Sequence, residues 1–151
     1  MGANMAIDVR PITEDQYAEY AAKRTNAFGG DARPERLVFR PGMVDLERCF
    51  AAYEDGVMAG TAAAFTYRMG TPGGDVRCAG VTGVTVQSTH RRRGILTAMM
   101  RTQLEQARDL GEPVAALWAS ESVIYGRFGY GVASEQYETT IERAHSAIAA
   151  T

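Results

Sequence analysis

Ala79-Gly80-Val81-Thr82-Gly83-Val84-Thr85-Val86, the link Gln87-Ser88-Thr89-His90, and then Arg91-Arg92-Arg93-Gly94-Ile95-Leu96 form the stretch that decides the fold. From Asp75 to Val86 valine and threonine dominate, and β-branched side chains suit the pleated surface of a strand better than a helix. Beyond the link, Leu96, Met99, Met100, Leu104 and Ala107 recur at helical spacing with polar residues between them. Gly111 supplies a left-handed cap and Pro113 prevents continuation, so Val114 to Ala119 is predicted as a short apolar strand buried on both faces. Strand, helix and strand in that order make a β-α-β crossover.

Working outward, Ile7 to Arg10 predicts a short strand, and Thr13 with Gln16 is a capping-box signature for a helix beginning at Glu14. Tyr17, Tyr20, Ala21, Arg24 and Phe28 share one face of that helix, which Gly29-Gly30 ends. The stretch up to Asp45 has no firm period, with a second short helix near Pro34 to Phe39 as an option. Cys49 to Tyr53, the turn Asp55-Gly56 and Val57 to Met69 predict a hairpin, because Asp-Gly supplies the positive φ angles of a tight turn. Thr71-Pro72-Gly73-Gly74 makes the next reversal, giving a three-strand antiparallel meander. Ser120 or Ser122 is a cap for a short helix through Phe128, and Tyr137, Thr139 and Ile141 alternate as in a last strand. The fold class expected is therefore α/β, a mixed and mostly antiparallel central sheet flanked by helices, in one domain over residues 1–151.

Composition narrows the function. Sixteen basic and 18 acidic side chains leave a formal net charge of -2, so no global positive field exists to hold nucleic acid or an anionic membrane. Cys49 and Cys78 lie far apart and form no metal-type or redox-type pair, which suits a reducing compartment. The two histidines, His90 and His145, belong to no metal-ligand cluster, and no metal is expected. Val57 to Phe65 falls well short of the roughly 20 residues that span a bilayer. The start lacks a signal-peptide pattern and Ala6 breaks the myristoylation pattern, so the expected location is cytoplasmic.

The Arg91 to Gly94 loop sits where a strand turns into a strong amphipathic helix, and such a junction binds anions. A first helical turn leaves backbone N–H groups unpaired, the helix dipole adds roughly half a positive charge, and Gly94 admits a phosphate close to the backbone. No Gly-Lys-Ser/Thr follows the glycine, and the loop has one glycine only, which removes the P-loop and the dinucleotide fingerprint. The loop resembles the pyrophosphate-binding motif of GCN5-related N-acetyltransferases (GNAT), with Arg91 and Gly94 matching and Leu96 standing where a small residue is usual. Together with Ala79 to Val86, Ala119-Ser120-Glu121 and Ile124-Tyr125-Gly126-Arg127-Phe128-Gly129-Tyr130-Gly131, it is similar to the first domain of the enhanced-intracellular-survival (Eis) type of aminoglycoside acetyltransferases, where leucine at position 96 is ordinary.

That resemblance implies the GNAT fold, with acetyl-coenzyme A as cosubstrate and a small polycationic amine as acceptor. It implies that Val84, Thr85 and Val86 offer backbone to the pantetheine arm, and that Arg91, Arg92, Gly94, Ile95 and Leu96 hold the pyrophosphate. Tyr125 maps onto the family's proposed general acid, a phenol placed to protonate the leaving thiolate. A backbone N–H near Val84 would stabilise the tetrahedral oxyanion. The family's chains have three parts and their proposed base is the carboxylate ending the third. This chain matches the first part, so the base is open: a group or water chain within these residues, or one outside them. A homo-oligomer is the assembly the resemblance suggests.

Plainer readings stand beside these. Arg91 to Arg93 read alone is a solvated charge run, Tyr125 a packing aromatic bonded to a carbonyl, Glu121 a helix-capping carboxylate, and His90 a loop residue. Asp31, Glu35, Asp45 and Glu47 are the acidic residues suited to wall a cleft for a polycation. The alternative acceptors are a protein lysine or N-terminus, and the alternative class is an acyl-coenzyme A-binding module without catalysis.

Overall fold

The computed structural model describes residues 7–33 and 45–142. They fall into two compact units, Met1–Trp118 and Ala119–Thr151. The proposed second helix near Pro34 to Phe39 lies outside the described residues.

The first unit is a five-stranded sheet in sequence order, built from β1 (Ile7–Pro11), β2 (Cys49–Glu54), β3 (Val57–Thr71), β4 (Gly74–Val86) and β5 (Val114–Leu117). The first three pairings are antiparallel and the last, β4 with β5, is parallel. Helix α1 (Tyr17–Ala27) follows a turn in which the Gln16 side chain accepts the Thr13 N–H at 3.1 Å, as the capping signature predicts. Helix α2 (Ile95–Asp109) supplies the crossover to β5. Asp55 at φ 52° and Gly56 at φ 77° make the hairpin turn between β2 and β3.

Each helix covers its own face. Tyr17 and Tyr20 of α1 pack with Ile12, Cys49, Ala51, Tyr53, Met58 and Ala63. Ile95 and Met99 of α2 pack with Ala52, Ala59 and Ala62, flanked by Ile7, Val9, Val84 and Val86. Small residues let α2 come close: a Cβ added at Gly60 would stand 2.9 Å from the Met99 terminal methyl and 3.0 Å from Cγ2 of Ile95. The α2 face buries Met99, Met100 and Ala107 as the periodicity predicts, and Gly111 takes the left-handed φ of 70°.

Four expectations are corrected. Phe28 is 58 % exposed and leaves the buried face of α1 to Tyr20, Ala21, Arg24 and Thr25. Strand β5 stops at Leu117 and is only half-buried, because α1 lies against β3 and β4 and the cover at β5 is on the α2 side, through Ala115. In the second unit, Ser122–Ile124 and Gly126–Phe128 are two 3-10 turns instead of one helix. Residues 137–141 carry no strand, and Tyr137 stands 85 % exposed, so their alternation marks no buried face.

Candidate active site

A break in the β3–β4 register organises the site. Thr61 pairs with Thr85 but Ala63 pairs with Thr82, so Gly83 and Val84 together oppose Ala62 and β4 carries one extra residue. Gly83 takes φ +61°, the left-handed geometry of a glycine bulge. Side chains fasten it from the α1 face. The Thr61 hydroxyl donates to the Gly83 carbonyl at 2.9 Å and the Tyr20 hydroxyl to the Ala62 carbonyl at 2.9 Å, while a Cβ at Gly83 would meet Cδ of Arg24 at 2.8 Å.

Past the bulge β4 has a one-sided ladder. Its parallel pairing with β5 runs from Cys78↔Val114 to Val81↔Leu117 and ends there, whereas its pairing with β3 continues to Val86. Among the described residues, the edge from Thr82 to Val86 that faces away from β3 has no strand partner, and an extended ligand can add to it as another strand would. Alternation decides what each residue offers there. Val84 and Val86 turn their side chains to the α2 cluster, and the Thr85 hydroxyl lies 2.7 Å from that of Thr61, so all three present backbone only.

After a 3-10 turn, Ser88–His90, the chain reaches α2 through Arg92 at φ 63° and Gly94 at φ 87°. Gly94 is the N-cap of α2, and no side chain caps the helix. Its first-turn N–H groups and positive dipole end therefore have no side-chain cap among the described residues. A Cβ at Gly94 would meet nothing closer than Cδ1 of Ile7 at 3.8 Å, which leaves room for an anion over the backbone. Ile95 is buried against the sheet and Leu96 half-buried, so both offer backbone N–H groups alone.

The three arginines separate into two kinds. Arg93 donates from one terminal nitrogen to Oε2 of Glu54 at 2.7 Å and from the other to the Thr89 carbonyl at 3.1 Å. Arg91 and Arg92 are exposed and make no ion pair or hydrogen bond among the described residues. A solvated charge run would treat the three alike. Glu54 was missed by the sequence reading, since beside Asp55-Gly56 it passes for a turn carboxylate. Its one signal is position, the last residue of a strand buried on both faces.

Two guanidinium groups without an anionic partner among the described residues, a helix start without a side-chain cap, an open glycine and a one-sided strand end follow one another along the chain, a donor set suited to a pyrophosphate on a peptide-like arm. Coenzyme A fits that donor set.

Tyr125 belongs to the second unit. Its ring meets Tyr130 edge-on at 5.9 Å, and its hydroxyl makes no hydrogen bond, to a carbonyl or otherwise, among the described residues. Burial pushes its pKa above the ordinary phenol value, and the negative charge of Glu121 adds to the rise. Of the acidic residues suggested for a cleft, Asp31 is engaged by Arg33, Glu35 lies outside the described residues, and Asp45 and Glu47 sit at the turn Leu46–Arg48.

The bulged strand, the helix start without a side-chain cap and the β-α-β order belong to a GNAT fold. The chain belongs to the acetyltransferase (GNAT) domain family, whose model matches residues 8–133. An uncharacterized N-acetyltransferase of Streptomyces avermitilis is 43% identical over 141 residues, covering 91% of this chain and 34% of that protein. The N-acetyltransferase Eis of Mycobacterium bovis is 47% identical over 87 residues, 57% of this chain and 22% of its own. The crystal structure of Eis1 from Mycobacterium abscessus superposes with a TM-score of 0.72 at 38% identity, over 85% of this chain and 32% of that one. The chain thus spans about a third of the length of these two longer-matching relatives.

Proposed function

We propose that this domain binds acetyl-coenzyme A across the end of β4 and the start of α2, and transfers the acetyl group to a primary amine of a small polycationic acceptor of the aminoglycoside kind. The observation that carries the reading is the uncapped α2 terminus beside Arg91 and Arg92, neither of which has an anionic partner among the described residues. Val84, Thr85 and Val86 bind the pantetheine arm by backbone, and Arg91, Arg92, Gly94, Ile95 and Leu96 hold the pyrophosphate. An N–H at the bulge stabilises the oxyanion as the amine adds to the thioester carbon.

Tyr125 is assigned as the general acid. A phenol of ordinary pKa is already protonated at neutral pH and burial only raises that value, so Tyr125 is in the state from which it donates to the departing sulfur. The aminoglycoside acceptor rests on the resemblance of residues 79–96 and 124–131 to the Eis type of aminoglycoside acetyltransferases.

The test is thiol release from acetyl-coenzyme A with a panel of aminoglycosides, polyamines and lysine peptides, wild type beside Tyr125→Phe. Amine-dependent release, strongest with aminoglycosides and reduced at least tenfold in Tyr125→Phe, is expected. Preference for lysine peptides would overturn the acceptor, and unchanged release in Tyr125→Phe would overturn the acid. A second reading, cofactor binding without turnover by these residues alone, is favoured by the greater length of the relatives. Tight coenzyme A binding with no release for any amine would establish it.

A further inference from the structure

We propose that Glu54 is a positioning residue for the anion-binding loop, acting through Arg93; the proposal rests on the reading of that loop as the pyrophosphate site. Glu54 is the last residue of β2 and only 4% exposed. Its carboxylate accepts from Arg93 at 2.7 Å, with Nε2 of His90 at 3.8 Å from the same oxygen. The other terminal nitrogen of Arg93 donates to the Thr89 carbonyl at 3.1 Å. The buried carboxylate therefore holds the Arg93 guanidinium to a strand in the sheet, and that guanidinium in turn holds the Thr89 end of the loop.

Between those two anchors lie Arg91 and Arg92. Arg92 holds φ 63°, a conformation a side-chain-bearing residue keeps only where its surroundings impose it. Its neighbours supply little restraint, because Arg91, Arg92 and Gly94 are exposed. The restraint comes from Arg93, whose guanidinium is fixed at both ends by hydrogen bonds to an anion and a carbonyl. With it in place, Arg91 and Arg92 stay clear of Glu54 and the N–H groups of α2 stay uncovered.

The sign of the effect separates this role from plain electrostatics. Glu54 is a negative charge beside a site for a multivalent anion, so by Coulomb's law alone its removal tightens coenzyme A binding. As a brace, its removal frees Arg93, lets the loop leave the productive conformation, and weakens binding.

The experiment measures hydrogen exchange of amides 91–96 without ligand and coenzyme A affinity by calorimetry, in wild type, Glu54→Gln, Arg93→Gln and the double variant. Thermal unfolding confirms that each is folded, and the partly exposed Arg93 gives a variant that folds should Glu54→Gln not. Faster exchange in both single variants, affinity weakened about tenfold in each, and a double variant no worse than either are expected. Affinity unchanged or tightened in Glu54→Gln, or losses that add in the double variant, would overturn the proposal. If wild type itself does not bind coenzyme A, the proposed function fails; faster exchange in both variants then still supports the brace, and unchanged exchange sinks it.

Discussion

Thr61 and Gly83 are joined across the β3–β4 ladder by a hydrogen bond of 2.9 Å from hydroxyl to carbonyl, and this bond holds the extra residue of β4 in place. Thr61 has one hydroxyl hydrogen and spends it on Gly83, so Thr85, 2.7 Å away, donates to Thr61. Thr61→Val keeps the shape and leaves the Gly83 carbonyl and the Thr85 hydroxyl without their partner. It should cost about 1–3 kcal/mol in urea unfolding and weaken coenzyme A binding. An equal loss of stability with unchanged affinity would show that the bulge does not shape the cofactor edge.

A second bond network has no link to the proposed chemistry and should act on stability alone. Arg48 donates to both carboxylate oxygens of Glu112, at 2.7 and 2.6 Å, and to the Thr66 hydroxyl at 2.6 Å. The pair ties the turn before β2 to the link before β5, and both side chains are buried. Glu112→Ala strands a buried guanidinium and should cost about 3–5 kcal/mol. Replacing both partners with Met should recover most of that loss, because the desolvation of two charges disappears with them. Urea unfolding of the single and double variants checks both statements.

How much of this was legible depends on how far apart the deciding residues lie. Helix α2 was readable because its apolar spacing is local, and the Asp55-Gly56 turn because its φ values are set by those two residues. The bulge had a signal, a glycine inside a Val/Thr strand, but its fastening by Thr61 and Tyr20 joins residues 22 and 42 positions apart. Glu54 meets Arg93 across 39 positions, and no local pattern marks such a pair. The alternation at Tyr137 to Ile141 misled because period two specifies a strand only where one face is buried, and Tyr137 and Ile141 stand 85% and 62% exposed.

Cys49 should make the fold sensitive to alkali. Burial pushes its thiol from 9.0 up to about 11, with Arg24 and Tyr20 opposing the rise in part. The folded-state value is raised, so its contribution is fully present below the unfolded value and is lost as pH rises through the folded one. Urea midpoints should therefore fall between pH 9 and about 11, and less so in Cys49→Ala. Burial of Cys49 and Cys78 also predicts slow thiol alkylation of the native protein near neutral pH and rapid modification of both in denaturant. Fast native alkylation at pH 7.5 would contradict the burial of both (a pH chosen roughly one unit below the ordinary thiol value).

The role of Tyr125 can be read from the alkaline limb of the rate profile. An acid must be protonated to act, so amine-dependent thiol release should fall as the phenol ionises, above the ordinary value of 10.0 because burial and then Glu121 hold it up. Glu121→Gln removes the negative charge that disfavours the phenolate, which lowers the Tyr125 pKa and moves the limb toward 10.0. The limb should move only part of the way, since burial is the larger cause and persists in the variant. In Tyr125→Phe the limb should disappear along with most of the rate. A limb that stays in place in both variants would belong to another group and would remove Tyr125 from the proton path.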